Sequence, residues 1–126
     1  MYLVGANVIL EIILRQQRVP KCKMFLQENL GLLFISDFAL YTIGVILFRN
    51  GKENGFQDFV AEGLGNMDIL SLPRSSYSEL KALRDKWGLN FDGAYQSAVA
   101  REFGLQIVTM DKHFEAVAKD IEVHFL

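Results

Sequence analysis

Three short stretches hold the residues with the greatest chemical potential. Asp92 is the second residue of the run FDGAYQSAVAREFG, Asp111 follows the apolar run QIVTM, and Ser36-Asp37 follows the apolar run LLFI. A carboxylate at a helix start and another at the mouth of a buried strand suit a divalent cation held against phosphate. Mg²⁺ and Mn²⁺ are hard ions that seek oxygen. Several carboxylates must converge to hold one, activate a water near neutral pH and neutralise a phosphoryl transition state. The opening YLVGANVILE has the same strand-to-helix form, but Gly5 occupies the strand mouth and the first polar group is Asn7. The number of acids that meet therefore decides whether hydrolysis is within reach.

The elements that must bring these residues together follow from hydrophobic periodicity and turn signals. Tyr2 to Val4 reads as a central strand buried on both faces, and Asn7 as the cap of a helix over Val8 to Arg15. Pro20 sits in the first turn of a second helix, Lys21 to Glu28. Leu32 to Ile35 forms a second strand, and Ser36-Asp37 caps a long apolar helix reaching Asn50. Beyond the turn-rich stretch from Asn50 to Gly55, Phe56, Phe59, Val60 and Leu64 recur at helical spacing, with Gly63 and Gly65 ending the helix. Ile69 to Leu72 is the third strand, Tyr77 to Trp87 an amphipathic helix closed by Gly88, and Asp92 to Gly104 the next helix. Gln106 to Thr109 is the fourth strand, and alternation over Ile121 to Phe125 predicts a fifth at a sheet edge.

Strand and helix thus alternate along residues 1–126 as a single domain. The fold class is α/β, three-layer α/β/α, with a central, mainly parallel sheet of four or five strands. Ligands of such open sheets bind beyond the carboxyl ends of the strands, which points to Gly5, Asn7, Ser36, Asp37, Thr109 and Asp111. Composition agrees with one well-filled core: 51% of residues are hydrophobic and 22% charged, with ten Phe. A formal charge of −2 argues against coating nucleic acid through bulk positive charge, without excluding a nuclease, whose acids lower the charge by themselves. The lone Cys22 makes no internal disulfide, no secretory leader is legible, and no stretch reaches the roughly 20 apolar residues that span a bilayer. The expectation is a cytoplasmic protein without a membrane segment.

The same stretches resemble the PIN domain, the fold of VapC-type toxins and related ribonucleases, over essentially the whole chain. YLVGANVILE is similar to the family's strand-Asp-x-Asn-Val/Ile signature, FDGAYQSAVAREFG to its Asp-Ala helix, and LQIVTMDKHFE to its terminal hydrophobic-Thr-x-Asp-x-x-Phe segment. The resemblance implies an Mg²⁺- or Mn²⁺-dependent endoribonuclease that hydrolyses RNA phosphodiesters, as the toxin of a toxin–antitoxin pair. It also implies a homodimer and an antitoxin protein partner. Asp111 matches the family's last acid and Asn7 the polar residue after its first acid, while Ser36 and Thr109 would supply supporting hydroxyls. Gly5 and Gly93, however, stand where the family carries Asp. The family's helix Glu has no counterpart among Thr42, Ile43 and Gly44, leaving Asp92 and Asp37 as substitutes. The metal set so implied is Asp111, Asp92 and Asp37, with Asn7 orienting water or a carboxylate and activity impaired. The chain is either a member that lost its acids or an active sequence in which they were replaced.

Other readings stay open beside that one. Asp92 and Asp37 are also good helix-terminal residues, and His113 and His124 lack the partners of a zinc site. Arg15, Arg18, Lys21 and Lys23 are the densest basic cluster, a candidate contact for RNA phosphates or simply a solvated helix junction. A non-catalytic PIN-like module that grips RNA or protein is the alternative function. A receiver-type signalling domain shares the strand–helix order, but Val4-Gly5-Ala6 lacks the acidic pair such a domain needs.

Overall fold

The structure, a computed structural model, describes residues 1–126. In chain order it comprises β1 (Tyr2–Val4), α1 (Ala6–Ile13), α2 (Val19–Glu28), β2 (Leu33–Ser36), α3 (Asp37–Arg49) and α4 (Glu53–Asp58). There follow β3 (Asp68–Leu70), α5 (Leu80–Trp87), α6 (Phe91–Phe103), β4 (Gln106–Thr109) and β5 (Val123–Phe125). The strands form one sheet in the order β3-β2-β1-β4-β5, and every pair is parallel. β1 lies in the middle, with Leu3 in register with Phe34 on one side and Ile107 on the other.

Alternation along the central strands divides the core into two layers, because successive side chains of a strand point to opposite faces. Leu3 and Ile107 face one layer with Leu80 and Leu83 of α5 and Ala94, Ala98 and Val99 of α6. Val4, Val108, Leu33 and Ile35 face the other with Val8 and Ile9 of α1, Cys22 and Phe25 of α2, and Ile43 and Leu47 of α3. This is the expected α/β/α arrangement, with all five strands parallel. No helix is long and apolar enough to cross a membrane.

Several local expectations are corrected. Gly5, not Asn7, is the N-cap of α1 and offers no side-chain bond, while Asn7 lies inside the first turn. Asn90 caps α6, its Oδ1 accepting from Gly93 N at 3.0 Å, so Asp92 is in the first turn rather than at the cap. The helix expected over Phe56 to Leu64 ends at Asp58 and continues as a wide π turn, Phe59–Gly63, and a 3-10 turn, Leu64–Asn66. Arg74–Glu79 is a 3-10 turn, so only the second part of the expected Tyr77–Trp87 helix is α-helical.

The strand order reverses direction between β1 and β4: from β1 the chain moves outward to β2 and β3, then returns to β4 and β5. Such a switch point leaves a crevice at the carboxyl ends of the two adjacent strands. Gly5 follows β1 and Asp111 follows β4 at that crevice.

Candidate functional site

The crevice is a cleft of about 240 Å³ whose walls include Gly5, Asn7, Asp92, Gly93, Thr109 and Asp111. Residues from β1–α1, the start of α6 and the end of β4 therefore meet at one rim, although more than a hundred positions separate the first from the last. Thr42, Asn90 and Gln96 complete the polar lining, and Phe38, Leu10 and Phe114 supply apolar wall.

Asn7 ties the two central strand ends together. Its Nδ2 donates to Thr109 Oγ1 at 3.0 Å, and its Oδ1 accepts from Met110 N at 3.3 Å. Thr109 Oγ1 also accepts from Asp111 N at 3.0 Å. Thr109 is buried, so these bonds operate away from competing water and fix the direction in which the chain leaves β4. Asp111 Oδ1 in turn accepts from His113 N at 2.9 Å, capping the 3-10 turn Lys112–Ala116, and lies 2.9 Å from His113 Nδ1. One oxygen of Asp111 is thus engaged in shaping the turn. Asp92 is exposed at the first turn of α6, where the helix dipole favours negative charge.

Asp37 does not join them. It is absent from the cleft wall, and its Oδ1 accepts from Tyr95 Oη at 2.7 Å and from Phe38 N at 2.7 Å. Its Oδ2 accepts from Ser71 Oγ at 2.9 Å. Tyr95 Oη also accepts from Leu72 N at 3.0 Å, so this cluster fastens α3, α6 and the segment after β3 to one another. Burial, and then the hydrogen bond to the Asp37 carboxylate, push the Tyr95 phenol well above its usual value and keep it a donor. Ser36 is buried at the cap of α3, where its Oγ accepts from Ala39 N at 3.0 Å and donates to Gln96 Oε1 at 2.9 Å. It supports Gln96 rather than an acid.

Two carboxylates, then, reach the cleft where the sequence suggested three, and no group of three His, Cys, Asp or Glu side chains anywhere in the fold is placed to hold a metal ion. Gly5 and Gly93 are closely surrounded. A Cβ on Gly5 would stand 3.1 Å from Val108 O, and one on Gly93 3.2 Å from Leu89 Cβ. The protein alone does not provide the several oxygen ligands that a well-hydrated divalent ion requires.

Gln96 was not singled out by sequence. It is 8% exposed, and its Nε2 has no hydrogen-bond partner. A buried amide left unpaired costs free energy, so its position beside the cleft is informative. Its spacing is the signal that could have found it: Gln96 follows Asp92 by one helical turn and therefore shares its face. Cys22 is buried 3.8 Å from Met110 Sδ, and burial, with Glu11 nearby, raises its thiol pKa, as befits a packing residue.

The basic cluster divides. Arg15 and Lys23 line a groove of about 600 Å³ beside α1, α2 and the π turn, together with Asp58 and Glu62. Arg18 and Lys21 border a different depression, with Met110, Lys112, Glu115 and Leu126.

A parallel α/β sheet with an acid-bearing crevice at its switch point defines the class of protein. The PIN domain family model matches residues 2–120, and the chain belongs to that family. No curated protein matches it in sequence. Among solved structures, the chain is similar to FitAcB from Neisseria gonorrhoeae, with a TM-score of 0.78 and 21% identity over 98% of this chain and 96% of that one. A sarcin-ricin-loop-cleaving VapC toxin from Mycobacterium tuberculosis gives 0.77 and 13% over 96% of both chains. A toxin–antitoxin complex from Klebsiella pneumoniae gives 0.73 and 19% over 90% of both. At these identities the likeness is one of fold.

Proposed function

We propose that this chain is a toxin-lineage PIN domain that binds RNA and whose phosphodiester hydrolysis is impaired. The observation that carries this reading is the composition of the cleft: Asp92 and Asp111 gather around two glycines, while Asp37 is held elsewhere by Tyr95 and Ser71. Mg²⁺ or Mn²⁺ is the cofactor the family implies; when bound in such a cleft, the ion would activate water and neutralise phosphate charge. Asp111 and Asp92 are the carboxylates available to it, with Asn7 and Thr109 setting the rim. Two carboxylates without additional acids are too few to hold such an ion firmly, which is what impairs hydrolysis.

Two partner surfaces accompany the cleft. The groove bordered by Ile9, Ile12, Leu26 and Phe59 combines apolar floor with balanced charges and suits a segment of an antitoxin protein. Tyr41, Val45 and Phe48 form an exposed apolar stripe on α3 that suits a second copy of the chain.

The test compares the native chain with Gly5→Asp/Gly93→Asp on a labelled structured RNA, with and without Mn²⁺. The native chain is expected to bind RNA equally with and without the ion and to cleave slowly. The double variant should take up Mn²⁺ and cleave about a hundredfold faster or more, the scale of one lost transition-state interaction. Native cleavage as fast as that of the double variant would refute impairment, and absence of RNA binding would refute the function.

A further inference from the structure

Lys112 follows Asp111 directly and is exposed, and the turn they share forms a ridge between two depressions. On one side lies the cleft, which Asp111 lines. On the other lies a depression of about 390 Å³ that Lys112 borders together with Arg18 and Lys21. Met110 belongs to the divider itself. Its backbone N–H reaches Asn7 on the cleft side, and its sulfur lies against Cys22 on α2. Segments distant in sequence thus bring three cations to the outer slope of the cleft rim, with Glu115 the single acid among the lining side chains.

Neither Arg18, Lys21 and Lys112 nor Arg15 and Lys23 take part in a salt bridge, so the lining separates the two groups: three cations with Glu115 here, two cations with Asp58 and Glu62 there. Arg18 is oriented by the fold: its backbone N donates to Glu11 Oε2 at 2.8 Å and its Nη1 to Leu126 O at 3.2 Å. Gathering three cations about one acidic side chain is unfavourable, and a chain with net charge −2 has acids to spare. An external polyanion satisfies such a cluster and releases its own counterions as it does so. Arg15 and Lys23 differ, because Asp58 and Glu62 share their groove and neutralise it.

We infer that Arg18, Lys21 and Lys112 form a phosphate track that carries the RNA backbone over the Met110–Lys112 ridge to the cleft, and that Arg15 and Lys23 stand outside it. The inference rests on the RNA-binding function proposed above and gives that function a direction across the surface. The chemistry recognised is the phosphodiester, which DNA also offers; contacts confined to phosphate carry no sequence information.

The experiment measures binding of a labelled single-stranded RNA, and of DNA of the same sequence, over a range of salt. Lys21→Glu/Lys112→Glu is compared with Arg15→Glu/Lys23→Glu, which makes the same change in net charge. Arg18 is left native because its bonds are structural. The first pair should weaken RNA binding about tenfold or more and lower the salt slope by about 1.4, the value for two phosphate contacts on a single strand. The second should stay within about twofold of the native chain. Equal losses from both pairs would mean bulk charge alone and overturn the track, as would native RNA affinity in the first pair. Binding confined to DNA overturns the RNA assignment. If the native chain binds neither strand, the proposed function fails, a result distinct from native binding that ignores Lys21 and Lys112.

Discussion

Tyr95 is the residue on which the position of Asp37 depends. Its hydroxyl bridges Asp37 Oδ1 and Leu72 N, so Tyr95→Phe leaves a buried amide and a carboxylate oxygen each short of a partner. The expected loss is about 1–3 kcal/mol at neutral pH, read by chemical denaturation. The pH dependence has a definite sign. Burial and the Asp37 bond raise the folded pKa above the unfolded tyrosine value of about 10. The stability contributed by protonated Tyr95 is therefore complete below about pH 10 and declines as pH rises through the raised folded value. The gap between native chain and Tyr95→Phe should be constant from about pH 6 to 9 and narrow above pH 10; a gap that widens there would contradict the assigned bond. The glycines make a second comparison at this scale. A side chain on Gly5 meets a strand carbonyl, Val108 O, that is already accepting from Gly5 N at 2.8 Å. On Gly93 it meets Leu89 Cβ, which the backbone fixes, and Asn90 Oδ1, which caps the helix. Gly5→Asp and Gly93→Asp should each cost about 1–3 kcal/mol, by thermal melts of the single variants.

At the scale of elements, periodicity located β1 and β4 with their full spans, because short buried strands between helix signals have few alternatives. It put Gly5 and Asp111 just beyond those strands, where they line the cleft, but it put Ser36 and Asp37 there too, and neither does. What periodicity could not convey is where side chains are already engaged: Asp37 and Asp111 are equivalent as letters, yet only the first has Tyr95 and Ser71 closing on it. The division of the basic cluster was hidden for a similar reason, since neighbours in sequence point to different depressions across the α1–α2 turn. The Phe56-to-Leu64 pattern misled because it is helical in spacing but not in packing. Phe59 is buried with its ring folded over Gly63, where a Cβ would stand 2.7 Å from Phe59 Cδ1. That close approach requires glycine, and the backbone widens into the π turn over the same residues. Gly63→Ala should therefore displace the ring and destabilise the protein by about 1–3 kcal/mol. Gly65→Ala, with open space around it, should change stability by less than about 0.5 kcal/mol. Equal effects in denaturant titrations would remove the ring-over-glycine explanation.

For the molecule as a whole, the unresolved balance lies on α3. Ala39, Ile43 and Leu47 bury one side of this helix against the sheet, while Tyr41, Val45 and Phe48 stand 76%, 42% and 57% exposed on the other. Their i, i+4, i+7 spacing aligns them in one stripe, and Phe48 meets Phe56 edge-on at 5.8 Å to extend it towards α4. Large aromatic side chains aligned on a surface are favourable only when something covers them, and a second copy of the stripe is self-complementary about a two-fold axis. The chain is accordingly expected to run as a dimer in light scattering at micromolar concentration. Tyr41→Glu/Phe48→Glu places like charges across the axis and should yield a monomer with unchanged circular dichroism. Because α3 also supplies Phe38 and Thr42 to the cleft wall, dimerisation would fix the helix that backs the site. Its loss should then weaken RNA binding even though neither substituted residue lines the cleft or the basic slope. A native chain that is monomeric throughout, or a double variant that remains dimeric, would assign the stripe to another occupant.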